Sequence, residues 1–142
     1  MNTSPTSLLI GFIAAAISVV IVHQGIVFAL NRAGIWPAKP WSTEPTGPYK
    51  VPTIVNSIFW GGMWGVVYAL FQRYVPGHQA WQQGLVFGWL MALISNFTIL
   101  PTIKGQPLFM GGDQKKIAIV LLILSGFGIA TAVVYQGLRS AA

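Results

Sequence analysis

Leu8-Leu-Ile-Gly-Phe-Ile-Ala-Ala-Ala-Ile-Ser-Val-Val-Ile-Val-His-Gln-Gly-Ile-Val-Phe-Ala-Leu30 is the stretch that decides the fold. Only Ser18, His23 and Gln24 interrupt a run of apolar and small residues. At a rise of about 1.5 Å per residue, a helix of this length crosses the roughly 30 Å hydrocarbon core of a bilayer. Three further runs read the same way: Ile54–Phe71, Trp81–Leu100 and Ile117–Leu138. The third opens on Gln82-Gln83 and closes on Ser95-Asn96, and Pro101 is its predicted stop, because proline disfavours helix in the residue before it. The opening MNTSPTSLLIGF has no Lys or Arg ahead of its apolar stretch, and that stretch outruns a signal peptide's core. It reads as a retained first span.

The composition agrees. Of 142 residues, 54% are hydrophobic and 7% charged, whereas soluble domains carry about a quarter charged residues. In water such a chain would expose large apolar patches. The expected fold is therefore an all-α integral membrane protein, one bundle of four transmembrane helices over residues 1–142. The net charge is +6, from eight Lys and Arg against two acids. These cations stand at the ends of apolar runs, as in membrane proteins, and not in the exposed cluster that a nucleic-acid partner requires. Cysteine is absent, which excludes disulfides and Cys-ligated metal centres.

Charge also predicts direction. Loops 31–53 and 102–116 hold Arg32, Lys39, Lys50, Lys104, Lys115 and Lys116, against Arg73 and Arg139 on the other side. The positive-inside bias places both loops in the cytoplasm and both termini outside, as in a bacterial cytoplasmic (inner) membrane. The first loop carries five prolines between Ala33 and Pro52 and should be stiff and extended. Trp36, Trp41 and Tyr49 are residues that settle at headgroup depth, so this Pro/Trp-rich loop is expected to lie as an interfacial strap, contacting lipid or a partner.

Helices in lipid associate by close packing through small residues. Ser57, Gly61, Gly65 and Ala69 recur every four residues in the second span, and Gly84, Gly88 and Ala92 in the third, with Asn96 next in series. Gly11 and Ala15 in the first span lead to Val19 and His23, and Ser125, Gly128 and Ala132 share a face of the fourth. Four-residue spacing keeps such positions near one helix face, ready for a neighbour within the chain, a second copy or another subunit. Gln24-Gly-Ile-Val-Phe28 echoes Gln83-Gly-Leu-Val-Phe87, but out of register with a repeat of whole spans.

Chemistry is sparse. Glu44 and Asp113 are the only side-chain carboxylates and both fall in loops, and no nucleophile elbow, zinc-protease helix or phosphate loop occurs. Gly111-Gly112-Asp113 reads as a turn into the fourth helix. Four short spans bring small multidrug exporters to mind, which move protons through a glutamate in the first helix. No span here holds an acid, so that family is set aside.

The polar residues within spans gather by depth. His23 lies about seven residues from the end of its helix, roughly 10 Å deep; Asn96 lies somewhat shallower and Asn56 near the start of the second span, with Gln24, Ser57 and Ser95 beside them, all in the cytoplasmic third of the expected bundle. One reading is an interhelical hydrogen-bond cluster that fixes register, each bond worth about 0.6–2 kcal/mol. A second is a vestibule for a small neutral or weakly charged solute, with His23 the one group in a span able to change charge near neutral pH. A third is haem or pigment at His23. Haem held by two histidines needs the second at like depth, and His78 sits in the opposite loop. Antenna polypeptides put a small residue four positions before their ligand histidine, where this chain has Val19. No metal or cofactor is indicated. The expected role is non-enzymatic: an accessory or assembly subunit of a larger membrane complex, with a small channel or carrier as the alternative.

Overall fold

The computed structural model describes residues 4–37 and 39–141. Its four long helices are α1 (Pro5–Arg32), α2 (Thr53–Tyr74), α3 (Ala80–Lys104) and α4 (Gln114–Ala141), and each is long and apolar enough to cross a membrane. The ends run a few residues past the apolar runs because polar caps extend them. Ser4 Oγ accepts the Ser7 N–H at 3.1 Å, with Pro5 pre-set for the first turn. Gln82 Oε1 reaches back to the N–H groups of His78 and Gln79, at 2.9 and 3.1 Å. Asp113 caps α4 by accepting the Lys116 N–H at 3.2 Å.

The helices form two tight hairpins, α1 with α2 and α3 with α4, joined along α1 and α4. Within each hairpin the backbones all but touch. A Cβ placed on Gly65 would collide with the Gly11 carbonyl oxygen and the Ala15 methyl, and one on Gly11 would strike the Gly65 carbonyl. In the other hairpin Gly84 faces the Gly128 carbonyl and Gly88 that of Leu124. Glycine is the residue that allows this approach, which maximises dispersion contact between the two backbones. Gly61 rests instead against Val19 and Phe127, and Ala69, Ala92 and Ala132 are buried. Ser57 is partly buried, and Ser125 accepts the Trp89 indole N–H at 2.7 Å.

Between the hairpins the gap is wider and filled by aromatic side chains. Tyr68 of α2 packs edge-on against Phe87 of α3 and Tyr135 of α4, with ring centres 5.0 and 5.4 Å apart. Tyr68 and Phe127 are each 1% exposed. The Tyr68, Phe87 and Tyr135 rings sit toward the end of the bundle away from the strap.

Two helices change pitch. Val19–His23 in α1 and Ala92–Ile99 in α3 are π-helical. Pro101 does not end α3 as the sequence predicts: the π stretch passes into α geometry at Leu100 and the helix continues to Lys104. Proline withholds one N–H, and threonine hydroxyls donate to other carbonyls of this segment. Thr98 Oγ1 donates to the Leu93 carbonyl at 2.8 Å and Thr102 Oγ1 to that of Thr98 at 2.7 Å.

The strap differs from a fully extended segment. Residues Pro45–Thr46 (β1) and Val51–Pro52 (β2) pair antiparallel, Pro45 opposite Pro52, with Tyr49 at the turn and 89% exposed. Before the hairpin the chain doubles back onto α1. Trp41 takes a positive φ of 50°, and its indole donates to the Val20 carbonyl at 2.7 Å, inside the π stretch. The left-handed region costs a tryptophan about 1–2 kcal/mol, so its contacts must over-determine the position. Among them is the Phe28 ring, 5.8 Å away. The third loop also turns left-handed, with positive φ from Phe109 to Gly112. Phe109 stacks on Phe97 at 5.7 Å, and Met110 packs on the core.

Candidate functional site

At the strap end, where α1 and α3 finish and α2 and α4 begin, a cavity of about 240 Å³ opens among all four helices. His23 and Gln24 enter from α1, Ser57 from α2 and Asn96 from α3, while Val120, Ile123 and Leu124 of α4 form an apolar wall. Trp36, Lys39 and Ser42 of the strap close its outer side. The two π stretches supply His23 and Asn96, and such local widenings often mark functional sites.

The structure thus brings together four of the six polar residues singled out in the sequence: His23, Gln24, Ser57 and Asn96. Asn56 and Ser95 do not line the cavity. Each is adjacent in sequence to a residue that does, and one helical step turns a side chain by about 100° to another face. Equal depth brings residues to one level and says nothing about which way they point.

Hydrogen bonding at this site runs in a chain. The Trp41 backbone N–H donates to Gln24 Oε1 at 2.8 Å, and Gln24 Nε2 meets His23 Nδ1 at 3.2 Å. Gln24 is buried, with its amide oxygen and its amide nitrogen each engaged. The His23 ring also stands edge-on to Phe127, centres 6.1 Å apart. By contrast the side chains of Ser57 and Asn96 make no hydrogen bond to another described residue, and both are partly accessible within the cavity.

A second, larger hollow lies at the opposite end, about 820 Å³, lined among others by Tyr68, Gln72, His78, Gln83, Tyr135 and Arg139. The sequence reading passed over it. Its signal was the recurrence of glutamine and tyrosine at the same end of α2, α3 and α4. Arg139 donates to the Tyr135 hydroxyl at 3.1 Å, and Gln72 and Gln83 bond to each other at 3.3 Å. His78 is therefore at the far end from His23. Among the described residues no three His, Asp or Glu side chains converge where a metal ion could be held.

Of the strap residues, Trp36 packs with Val27, Ile119 and Ile123 and its carbonyl accepts from Asn31 at 3.3 Å. Trp41 clasps α1, and Tyr49 projects from the hairpin turn. No family model, curated protein or solved structure matches the chain.

Proposed function

We propose that the chain is an integral membrane protein and serves as a non-enzymatic accessory or assembly subunit of a larger membrane complex, together with lipid and other subunits. Membrane residence is supported by the helix surfaces. Only 28–44% of the residues in the most apolar window of each helix are buried, and the outward residues include Leu9, Ile21, Trp60 and Leu122. A bilayer is the solvent that accepts such a surface. The cation distribution favours the strap and third loop in the cytoplasm of a bacterial-type inner membrane.

The observation that carries the subunit reading over a channel is the buried aromatic packing of Tyr68, Phe87 and Tyr135, with Phe127 in the neighbouring core cluster. Phe127 stands against His23 of the strap-end cavity while Tyr68 and Tyr135 line the other hollow, so a solute crossing the bundle would have to displace buried rings. A carrier is the second reading, favoured by the strap-end cavity, and it requires those rings to part.

Native gels of mildly solubilised membranes test the subunit reading, which expects the chain to migrate with a much larger assembly. Migration as a lone bundle, with solute flux in liposomes containing the purified chain, would replace it with the carrier. Orientation is tested by single cysteines, since the chain has none of its own. Thr43→Cys and Gln114→Cys should resist an impermeant thiol reagent in intact cells, and Gln79→Cys should label. The reverse pattern inverts the topology.

A further inference from the structure

We propose that the strap-end cavity is a binding site for a small uncharged molecule with one apolar ring and a carbonyl or hydroxyl oxygen, held by His23, Asn96 and Ser57. This goes beyond the subunit reading and does not depend on it.

The hydrogen-bond chain fixes what the cavity offers. A backbone N–H can only donate, so the Gln24 atom facing Trp41 must be the carbonyl oxygen Oε1. The amide nitrogen Nε2 therefore faces His23 Nδ1 and donates to it. In the neutral ring Nδ1 is then the acceptor, and Nε2 carries the hydrogen as a donor available to a guest. Asn96 adds a donor and an acceptor and Ser57 a hydroxyl, none of them engaged by another described residue. Three helices thus present polar groups against the apolar wall of the fourth.

Size and charge narrow the class. An apolar cavity of about 150 Å³ holds one benzene ring, so about 240 Å³ takes a ring with a small polar arm. Lys39 on the rim is paired with Glu44 at 3.4 Å, so no unopposed charge in the lining favours an ion. A carbonyl oxygen receives the His23 Nε2–H and the Asn96 amide, while the ring lies on Val120, Ile123 and Leu124.

The probe is 4-fluorobenzamide, followed by fluorine NMR on the full chain in lipid nanodiscs, with fluorobenzene as the analogue lacking the polar arm and empty nanodiscs as background. Saturable binding is expected, competed by benzamide, with fluorobenzene at least tenfold weaker. Asn96→Leu and His23→Leu should each weaken the benzamide about tenfold and leave fluorobenzene within twofold. Ser57→Ala, which removes one oxygen and spares the packing, should weaken it several-fold. Nitrogen-15 spectra of the imidazole should show the Nε2–H tautomer, its Nε2 signal moving on addition of benzamide. No saturable binding above empty nanodiscs overturns the proposal. So does equal affinity for both probes, or an Nδ1–H tautomer that benzamide leaves unmoved. A chain that binds benzamide but migrates alone on native gels would refute the subunit reading and leave this site standing.

Discussion

The hairpins α1–α2 and α3–α4 are two versions of one device, and they differ in what holds the widened helix open. In α1, Gly11, Ala15, Val19 and His23 follow at four-residue spacing, and in α3 Gly84, Gly88, Ala92 and Asn96 do the same. Each series begins at the close glycine contact, enters a π stretch at its third member and ends on a polar side chain in the cavity. In α3 the widening is met locally, by the Thr98 hydroxyl on the Leu93 carbonyl. In α1 it is met from outside, by the Trp41 indole on the Val20 carbonyl. A widened helix can thus be stabilised within its own turn or by a distant loop, and the second choice ties the cavity wall to its roof.

The hardest blow to both hairpins is a side chain at the glycine contact. Gly65→Leu and Gly128→Leu should each cost about 3 kcal/mol or more, because the neighbouring carbonyl is backbone and cannot swing aside. Met63→Leu, on a 40% exposed position of α2, should stay within about 0.5 kcal/mol. Thermal unfolding in detergent reads the difference. Equal midpoints for Gly65→Leu and Met63→Leu would remove the close contact from the account.

Next in size is the strap. Trp41→Ala deletes the indole bond and the contact with Phe28, and should destabilise by about 1–2 kcal/mol. Amide exchange should rise around Val19–His23 and stay unchanged across Ala92–Ile99. Acceleration spread evenly over both π stretches would mean that the hairpins are not independently held.

Thr98→Val should cost less, about 0.5–1.5 kcal/mol, and should act on α3 alone. The smallest effect belongs to Pro101→Ala. Since α3 already passes through this position as helix, restoring an N–H should change stability by less than about 1 kcal/mol. A large gain, with α3 extending beyond Gly105, would show the proline to be a genuine stop.

Much of this architecture was legible. The four apolar runs located the four long helices to within a few residues, because an unbroken apolar run of about 20 residues reads as one continuous helix long enough to cross a bilayer. The turn into α4 at Gly111-Gly112-Asp113 was readable, and the Asp113 carboxylate proves to cap the helix there. The end of α3 was misread, because the rule against helix before proline is a bias and not a prohibition: Leu100 keeps α geometry ahead of Pro101 and the helix runs on to Lys104. The strap was legible as a stiff aromatic segment, but its return onto α1 rests on Trp41 adopting a left-handed backbone that its residue type disfavours.

The candidate site divides along the same line. Sequence by itself determined which polar residues share a level, since depth is the count of residues multiplied by a fixed rise. Only the tertiary structure decided that His23, Gln24, Ser57 and Asn96 share a cavity while Asn56 and Ser95 do not, and that Trp41 completes the chain to His23. The physical reason is that depth accumulates along a single helix, whereas facing depends on how four helices are rotated against one another. That rotation is set by glycine contacts and packed rings between segments far apart in the chain.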